Sequence, residues 1–297
     1  MMAAAAPFFS VIVPSYNRAE IITPTLEAIL RQEDADLELI VVDDGSRDNT
    51  EEVVARLRDP RIRYFRKENG ERGAARNYGA RQARGRYLNF FDSDDEMYPN
   101  HLRVVREFLA AHGEVEFLHT GYEVINGAGR VVHEFCNFPP LTNELLLHDN
   151  PMACNTVFVR RDVALANPFE ENRVLASAED WELWLRLASQ YLFHGVPTKT
   201  FFLREHEGRS LNTIAPAAVI ARDELFGALV ARNAAFAARF PNHTGQFVAD
   251  RYTFITLTLA LSKQHRAATL HYLWKAVQQD PTVLWRRRFL ASVKHWF

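Results

Sequence analysis

Two runs of this chain pass from largely apolar sequence straight into carboxylates, a pattern that narrows the folds open to it. The first is Leu39-Ile40-Val41-Val42-Asp43-Asp44-Gly45-Ser46, and the second is Tyr87-Leu88-Asn89-Phe90-Phe91-Asp92-Ser93-Asp94-Asp95. Neither alternates apolar with polar residues, as a strand with one wet face would. Strands of this kind are covered on both faces by helices, and open sheets of that type bind ligands beyond the carboxyl ends of their strands. Two such strands ending in acids therefore predict one shared crevice. Asp92, Asp94 and Asp95 lie within four positions, and like charges this close need a counter-charge. A hard divalent cation, Mg2+ or Mn2+, is the usual remedy, bridging one or two carboxylates to substrate phosphates. The plainer alternative is a solvated acidic turn before the helix that follows Pro99.

The surrounding segments continue the rhythm. Phe8–Val13 reads as a first strand closed by Pro14, and Asn17–Gln32 has apolar residues at helical spacing. Leu37–Val42 is a second strand, and Asp48, Asn49 and Thr50 are N-cap types opening a helix to Leu57. Ile62–Phe65 is a third strand, Gly73–Ala83 a helix and Tyr87–Phe91 a fourth strand. This succession predicts an α/β fold with a mostly parallel, layered sheet. A helix follows Pro99 to Ala111, and Val115–Tyr122 and Arg130–Phe135 read as strands around the turn Asn126-Gly127-Ala128-Gly129. Thr156–Val159 is a further strand and Ala178–Ser189 a helix. From Ala215 the pattern is helical, so the expected division is a catalytic domain over 1–212 and a helical extension over 213–297.

Composition is that of a globular protein, 47% hydrophobic and 24% charged, and a net charge of −2 predicts no general nucleic-acid affinity. Cys136 and Cys154 have no metal-type spacing and make no disulfide framework, so both are expected to be reduced, buried and cytosolic. The opening residues lack a basic region and the apolar run after them breaks at Pro14, which argues against a secretory signal. No run is long and apolar enough to span a bilayer.

Four motifs in order, Val11-Ile12-Val13-Pro14-Ser15-Tyr16-Asn17, Val42-Asp43-Asp44-Gly45-Ser46, Asp92-Ser93-Asp94-Asp95 and Glu179-Asp180-Trp181-Glu182-Leu183-Trp184, closely resemble those of family 2 glycosyltransferases. The resemblance covers roughly residues 8 to 212. It implies the GT-A fold and inverting transfer from a nucleotide-diphosphate sugar, with a lean to UDP. By the same resemblance Pro14 and Tyr16 would line the nucleotide site. Asp44 would hydrogen-bond the base with Asp43 in support. Asp92 and Asp94 would form the DxD element: Asp94 would ligate the metal directly, and Asp92 would reach the ribose, the metal or a metal-bound water. Asp180 would be the catalytic base. Arg76, in Gly70-Glu71-Arg72-Gly73-Ala74-Ala75-Arg76-Asn77-Tyr78-Gly79, would touch the nucleotide or form a salt bridge. Arg204 and His206 would bind the diphosphate or complete the metal shell.

The chemistry asks for this inventory independently. A departing nucleoside diphosphate gathers negative charge, which a metal or cationic donors neutralise. The attacking hydroxyl must lose its proton to a carboxylate on the opposite face of the sugar, which inverts the anomeric centre. Asp180 opens a helix, where a carboxylate is favoured. A plain N-terminal acid is the alternative, and Glu179 could share either role. Trp181 is expected to face the site and Trp184 to be buried. The tail from Trp285 to Phe297 has Trp285, Phe289, Val293 and Trp296 at helical spacing, four Lys/Arg and no acid. It suits a helix lying on an anionic membrane, which would place a cytoplasmic enzyme at the inner face of the cell membrane, or a helix packed on the protein or on a second copy. The acceptor implied is a glycan or lipid-linked sugar of the bacterial cell surface.

Three other readings share part of this pattern. A glycoside hydrolase also uses two carboxylates but needs neither a metal at Asp94 nor a base pocket at Tyr16 and Asp44. A non-catalytic carbohydrate-binding protein would not need all these acids. A nucleotidyltransferase would carry a Gly-rich loop where Pro14-Ser15-Tyr16-Asn17 stands.

Overall fold

A computed structural model describes residues 6–204, 215–262 and 266–296. The chain forms two compact units. One holds residues 6–142, 150–171 and 191–204, and the other holds 143–149, 172–190 and the described residues from 215 onward. This differs from a boundary at 212, because the helix carrying Asp180 groups with the C-terminal helices.

The first unit begins β1 (Phe9–Ser15), α1 (Ile22–Leu30), β2 (Leu37–Asp43), α2 (Thr50–Ala55), β3 (Ile62–Arg66), α3 (Glu71–Gln82), β4 (Tyr87–Phe90). It continues β5 (Glu96–Met97), α4 (His101–His112), β6 (Phe117–Ile125), β7 (Val131–Phe135), β8 (Val157–Arg160) and α5 (Arg161–Ala166). After α6 (Glu179–Ala188), which belongs to the second unit, β9 (Phe193–Arg204) returns to the sheet. The nine strands run in the order β3-β2-β1-β4-β8-β6-β9-β5, with β7 paired to β6. The stretch β3-β2-β1-β4 is parallel as expected. Beyond β4 the sheet is mixed: β8 is antiparallel to β4 and β6, while β9 is parallel to β6.

Alternate faces of the parallel strands meet different layers. Val11, Val13, Leu39 and Val41 join Ile22, Leu26 and Ile29 of α1 and Leu102, Val105 and Leu109 of α4 in one core. On the opposite face α3 approaches so closely that a Cβ on Gly79 would stand 2.4 Å from Ile12 Cγ2 and 3.1 Å from Val42 Cγ2. Every residue of β2 is buried, as its apolar run Leu39–Val42 predicts, and the buried Glu38 within it is paired with Ser10 and Arg63.

Two differences from the sequence reading have local causes. Helix α1 starts at Ile22, because residues 17–19 are tied to the loop after β2. Strand β9 contains Pro197, which hid it from pattern reading, and its pairing with β6 shifts register on either side of Gly121. The turn Asn126–Gly129 does form, closed by Asn126 N–H donating to Arg130 O at 3.0 Å, with Gly129 at φ 72°. Cys154 is buried and Cys136 half-buried, and neither is in a disulfide.

The second unit is helical: α6, α7 (Pro216–Arg232), α8 (Ala234–Arg239), α9 (His243–Ser262), α10 (Arg266–Gln279) and α11 (Arg287–Trp296). Trp181 does not face a site. It is buried edge-on to Phe226 and Phe247, with its indole N–H donating to Leu146 O at 2.9 Å and the Arg251 guanidinium 4.3 Å from its ring. An aromatic pair flanking a buried cation is a packing solution, which explains why Trp181 joins Trp184 in the interior. The apolar stripe foreseen for the tail also turns inward in part. Phe289 packs with Ala249, Ala276 and Val283, and Ser292 is buried, while Trp285 stays 85% exposed. Among the described residues no helix is long and apolar enough to cross a membrane.

Candidate active site

The first unit gathers three loops at one edge of its sheet. Register places Ser15 opposite Asp43 and Ile12 opposite Phe90, so the chain leaves β1, β2 and β4 on the same side. The loops after β1 and β2 are sewn together. Asn17 N–H donates to Ser46 Oγ at 2.8 Å, and Arg47 N–H donates back to Asn17 Oδ1 at 2.8 Å. Asn17 takes φ 52°, a left-handed value that asparagine tolerates better than most residues. Pro14 lies within β1, one residue past the end expected for it, and is half-buried; Tyr16, just beyond the strand, is 44% exposed, leaving its ring open to a planar ligand.

Asp43 is buried and structural, accepting from Ser46 N–H at 2.7 Å and from the Tyr64 hydroxyl. Burial and the Asp43 carboxylate push the Tyr64 phenol far up, so it stays a proton donor. Asp44 is also buried. Lys67 Nζ donates to its Oδ1 at 2.7 Å, Asn69 Nδ2 to its Oδ2 at 3.1 Å, and the Gly70 N–H to both oxygens at 2.9 and 3.1 Å. Lys67 supplies the counter-charge beside this carboxylate. These donors engage both oxygens and hold the carboxylate in one orientation. Gly45, at φ 85°, makes the turn between them.

The acidic run after β4 separates into different roles. Asp95 is buried, takes Asn155 Nδ2 at 2.8 Å and holds the fold. Asp92 is 34% exposed and takes Arg76 Nη2 on Oδ1 at 2.8 Å. Asp94 is 22% exposed and faces Arg18 at 3.6 Å. Arg76 is therefore the salt-bridged residue of the two readings: it is 2% exposed, with Phe169 5.4 Å away beneath its guanidinium, and it braces Asp92. Arg204, half exposed, pairs with Glu96 at 3.0 Å.

Sequence reasoning missed Asn155, Lys67 and Arg18. Asn155 accepts from Asp92 N–H at 3.2 Å, donates to Asp95, and lends its carbonyl to Asn89 Nδ2 at 2.9 Å. It lies 60 residues from the turn it shapes, with no local signal to announce it.

The donor set suits a hard cation. Asp94 offers a partly exposed carboxylate whose partner stands beyond hydrogen-bond range, with a second carboxylate two positions away. Among the described residues no cluster of three potential ligands forms, and Asp94 and Asp92 are the one or two carboxylates these residues offer. Mg2+ and Mn2+ accept that arrangement when substrate phosphates and water fill the rest. His206 lies outside the described residues.

Asp180 belongs to the second unit, in the first turn of α6 beside Glu179 and Glu182. Its Oδ1 accepts from Trp181 N–H at 2.7 Å. Glu179 is 4% exposed whereas Asp180 is half-buried, so Asp180 is the more accessible of the pair.

Comparison with known proteins agrees with this geometry. A family model described as "Glycosyl transferase family 2" matches residues 10–165. The chain is 35% identical over 179 residues to UDP-Glc:alpha-D-GlcNAc-diphosphoundecaprenol beta-1,3-glucosyltransferase WfgD of Escherichia coli, covering 60% of this chain and 68% of that protein. It is 34% identical over 190 residues to an uncharacterized glycosyltransferase of Rickettsia felis, covering 63% of this chain. It spans only 31% of the length of that relative. Among solved structures, S. aureus TarS 1-349 in complex with UDP-GlcNAc superposes with a TM-score of 0.72 at 21% identity, over 97% of this chain and 87% of that one. At that identity the match speaks for the fold, which is of the GT-A glycosyltransferase type expected.

Proposed function

The chain belongs to glycosyl transferase family 2, and from that premise we propose that it moves a sugar from a nucleotide-diphosphate sugar to a hydroxyl of a glycan or lipid-linked acceptor, with inversion. The observation that carries this reading is the division of labour among the acids. Asp43 and Asp95 are used up in the fold, while Asp92 and Asp94 stay partly exposed after the strand beside β1. The UDP-glucose in the name of the E. coli relative and the UDP-GlcNAc bound to TarS favour a UDP-sugar donor. The diphosphoundecaprenol in the former name favours a lipid-linked acceptor.

In this reading Tyr16 stacks on the base, and Asp44, already fixed by Lys67, Asn69 and Gly70, accepts from its edge. A carboxylate held in place loses little freedom on binding. Asp94, with Asp92 beside it, would hold a divalent cation, which supplies charge neutralisation for the departing diphosphate. Arg76 and Asn155 keep Asp92 in position. Asp180 takes the acceptor's proton as its oxygen bonds to the anomeric carbon and the bond to the diphosphate breaks.

Calorimetric titration of UDP, GDP and CDP with and without Mn2+ tests the donor site. We expect metal-dependent binding of UDP by the wild type and its loss in Asp94→Ala. Asp180→Asn should keep nucleotide binding and lower turnover about 10²- to 10⁴-fold. Absence of binding to any nucleotide with any metal would return the hydrolase or binding-protein reading.

A further inference from the structure

The outer faces of α10 and α11 carry isolated exposed aromatic and aliphatic side chains set among cations. On α10 Arg266, Leu270 and Trp274 follow one another at i, i+4 and i+8, and Leu270 and Trp274 are 48% and 62% exposed. Ahead of α11, Leu284 and Trp285 are 40% and 85% exposed. On α11 Arg287, Leu290 and Lys294 share a face, with Leu290 54% exposed. Both helices turn their inner sides to α9, where Ala276, Val277 and Phe289 pack with Ala249 and Tyr252.

Charge defines what this surface accepts. Residues 266–296 hold six Lys/Arg and one acid, a net +5 in a chain whose total is −2. The one acid, Asp280, is bound to Arg286 at 2.9 Å, and Lys275 is bound to Glu224 at 2.8 Å. Arg266, Arg287 and Lys294 form no ion pair among the described residues. Tryptophan beside unpaired Lys/Arg matches the boundary between lipid headgroups and acyl chains. A second copy seated here would bring two strongly positive surfaces together, which electrostatics opposes.

We propose that this face, Leu270 and Trp274 with the segment from Leu284 to Lys294, docks the protein on an anionic lipid bilayer. Binding is read without turnover, so it stands or falls separately from the donor assignment. The full chain should co-sediment with vesicles rich in phosphatidylglycerol, not with pure phosphatidylcholine, and 1 M salt should release most of it. Trp274→Ala/Trp285→Ala and, separately, Arg287→Gln/Lys294→Gln should each weaken partitioning about tenfold or more with unchanged thermal melting. These side chains are exposed, so folding is not at stake. In the wild type, brominated lipid should quench tryptophan emission. Equal binding to neutral vesicles, no binding, indifference to both variants, or a dimer in solution that the Trp274→Ala/Trp285→Ala variant dissolves would each overturn the proposal.

Discussion

Adjacent acids of one type take opposite roles: Asp94 stays partly exposed, while Asp95 is spent on Asn155. Only the environment separates them, since the residues are chemically alike. Two buried histidines carry a pH dependence. His101 bonds Thr200 Oγ1 at 2.6 Å and His119 bonds Thr142 Oγ1 at 3.0 Å, and burial pushes their pKa values down to about 3 and about 4. Both stay neutral in the folded protein but gain a proton in the unfolded chain below about pH 6.5. The unfolded state then binds more protons, so stability is lost as pH falls from there toward the folded values. Urea unfolding at pH 7 and pH 5 should differ by roughly 2 kcal/mol per histidine. His119→Gln should flatten that decline, and an equal slope in the variant would contradict the assignment.

At the scale of elements, close approach of α3 to the sheet sets the position of Arg76 beneath Asp92. Gly79 permits it. Alanine would gain about 1 kcal/mol of helix propensity, but its Cβ would stand 2.4 Å from the methyl of Ile12, a stiff branched side chain in a buried strand. Overpacking of this kind typically costs 1–3 kcal/mol. Gly79→Ala should therefore lower stability in chemical denaturation by up to about 2 kcal/mol, the clash outweighing the propensity. A gain in stability would mean that helix and sheet can part without strain. Strands β1, β2 and β4 were legible because a strand covered on both faces must be apolar at nearly every position. Strand β9 was not, since Pro197 and a register shift break the pattern and its pairing to β6 is settled by distant residues.

On the scale of the whole chain, the two compact units cut across the linear order of motifs. Helix α6, with Asp180 at its start, is held to the C-terminal helices through Trp181, Phe226 and Phe247. Arg251 beside them is buried and its pKa is pushed down to about 10 by desolvation, so it remains charged at neutral pH. Asp223 faces it at 3.5 Å and Arg222 at 2.9 Å. A fragment ending at residue 212 keeps α6 but strips it of these partners, exposing Trp181 and its apolar neighbours. Size-exclusion chromatography should show this fragment aggregated and without a cooperative melt. A monodisperse fragment with a sharp transition would instead restore the boundary at 212.

Local order, covalent type and periodicity are properties of neighbouring residues, so the chain alone determined the strand-and-helix succession, the acids at strand ends and the family to which they point. Which acid is free to meet a ligand, which arginine braces it and which tryptophan is core depend on residues far apart in sequence. Asn155 reaches Asp95 across 60 positions, and Asn77 holds Phe169 across 92. Burial and hydrogen-bond saturation arise only when such segments meet, and for that reason the tertiary structure decided them.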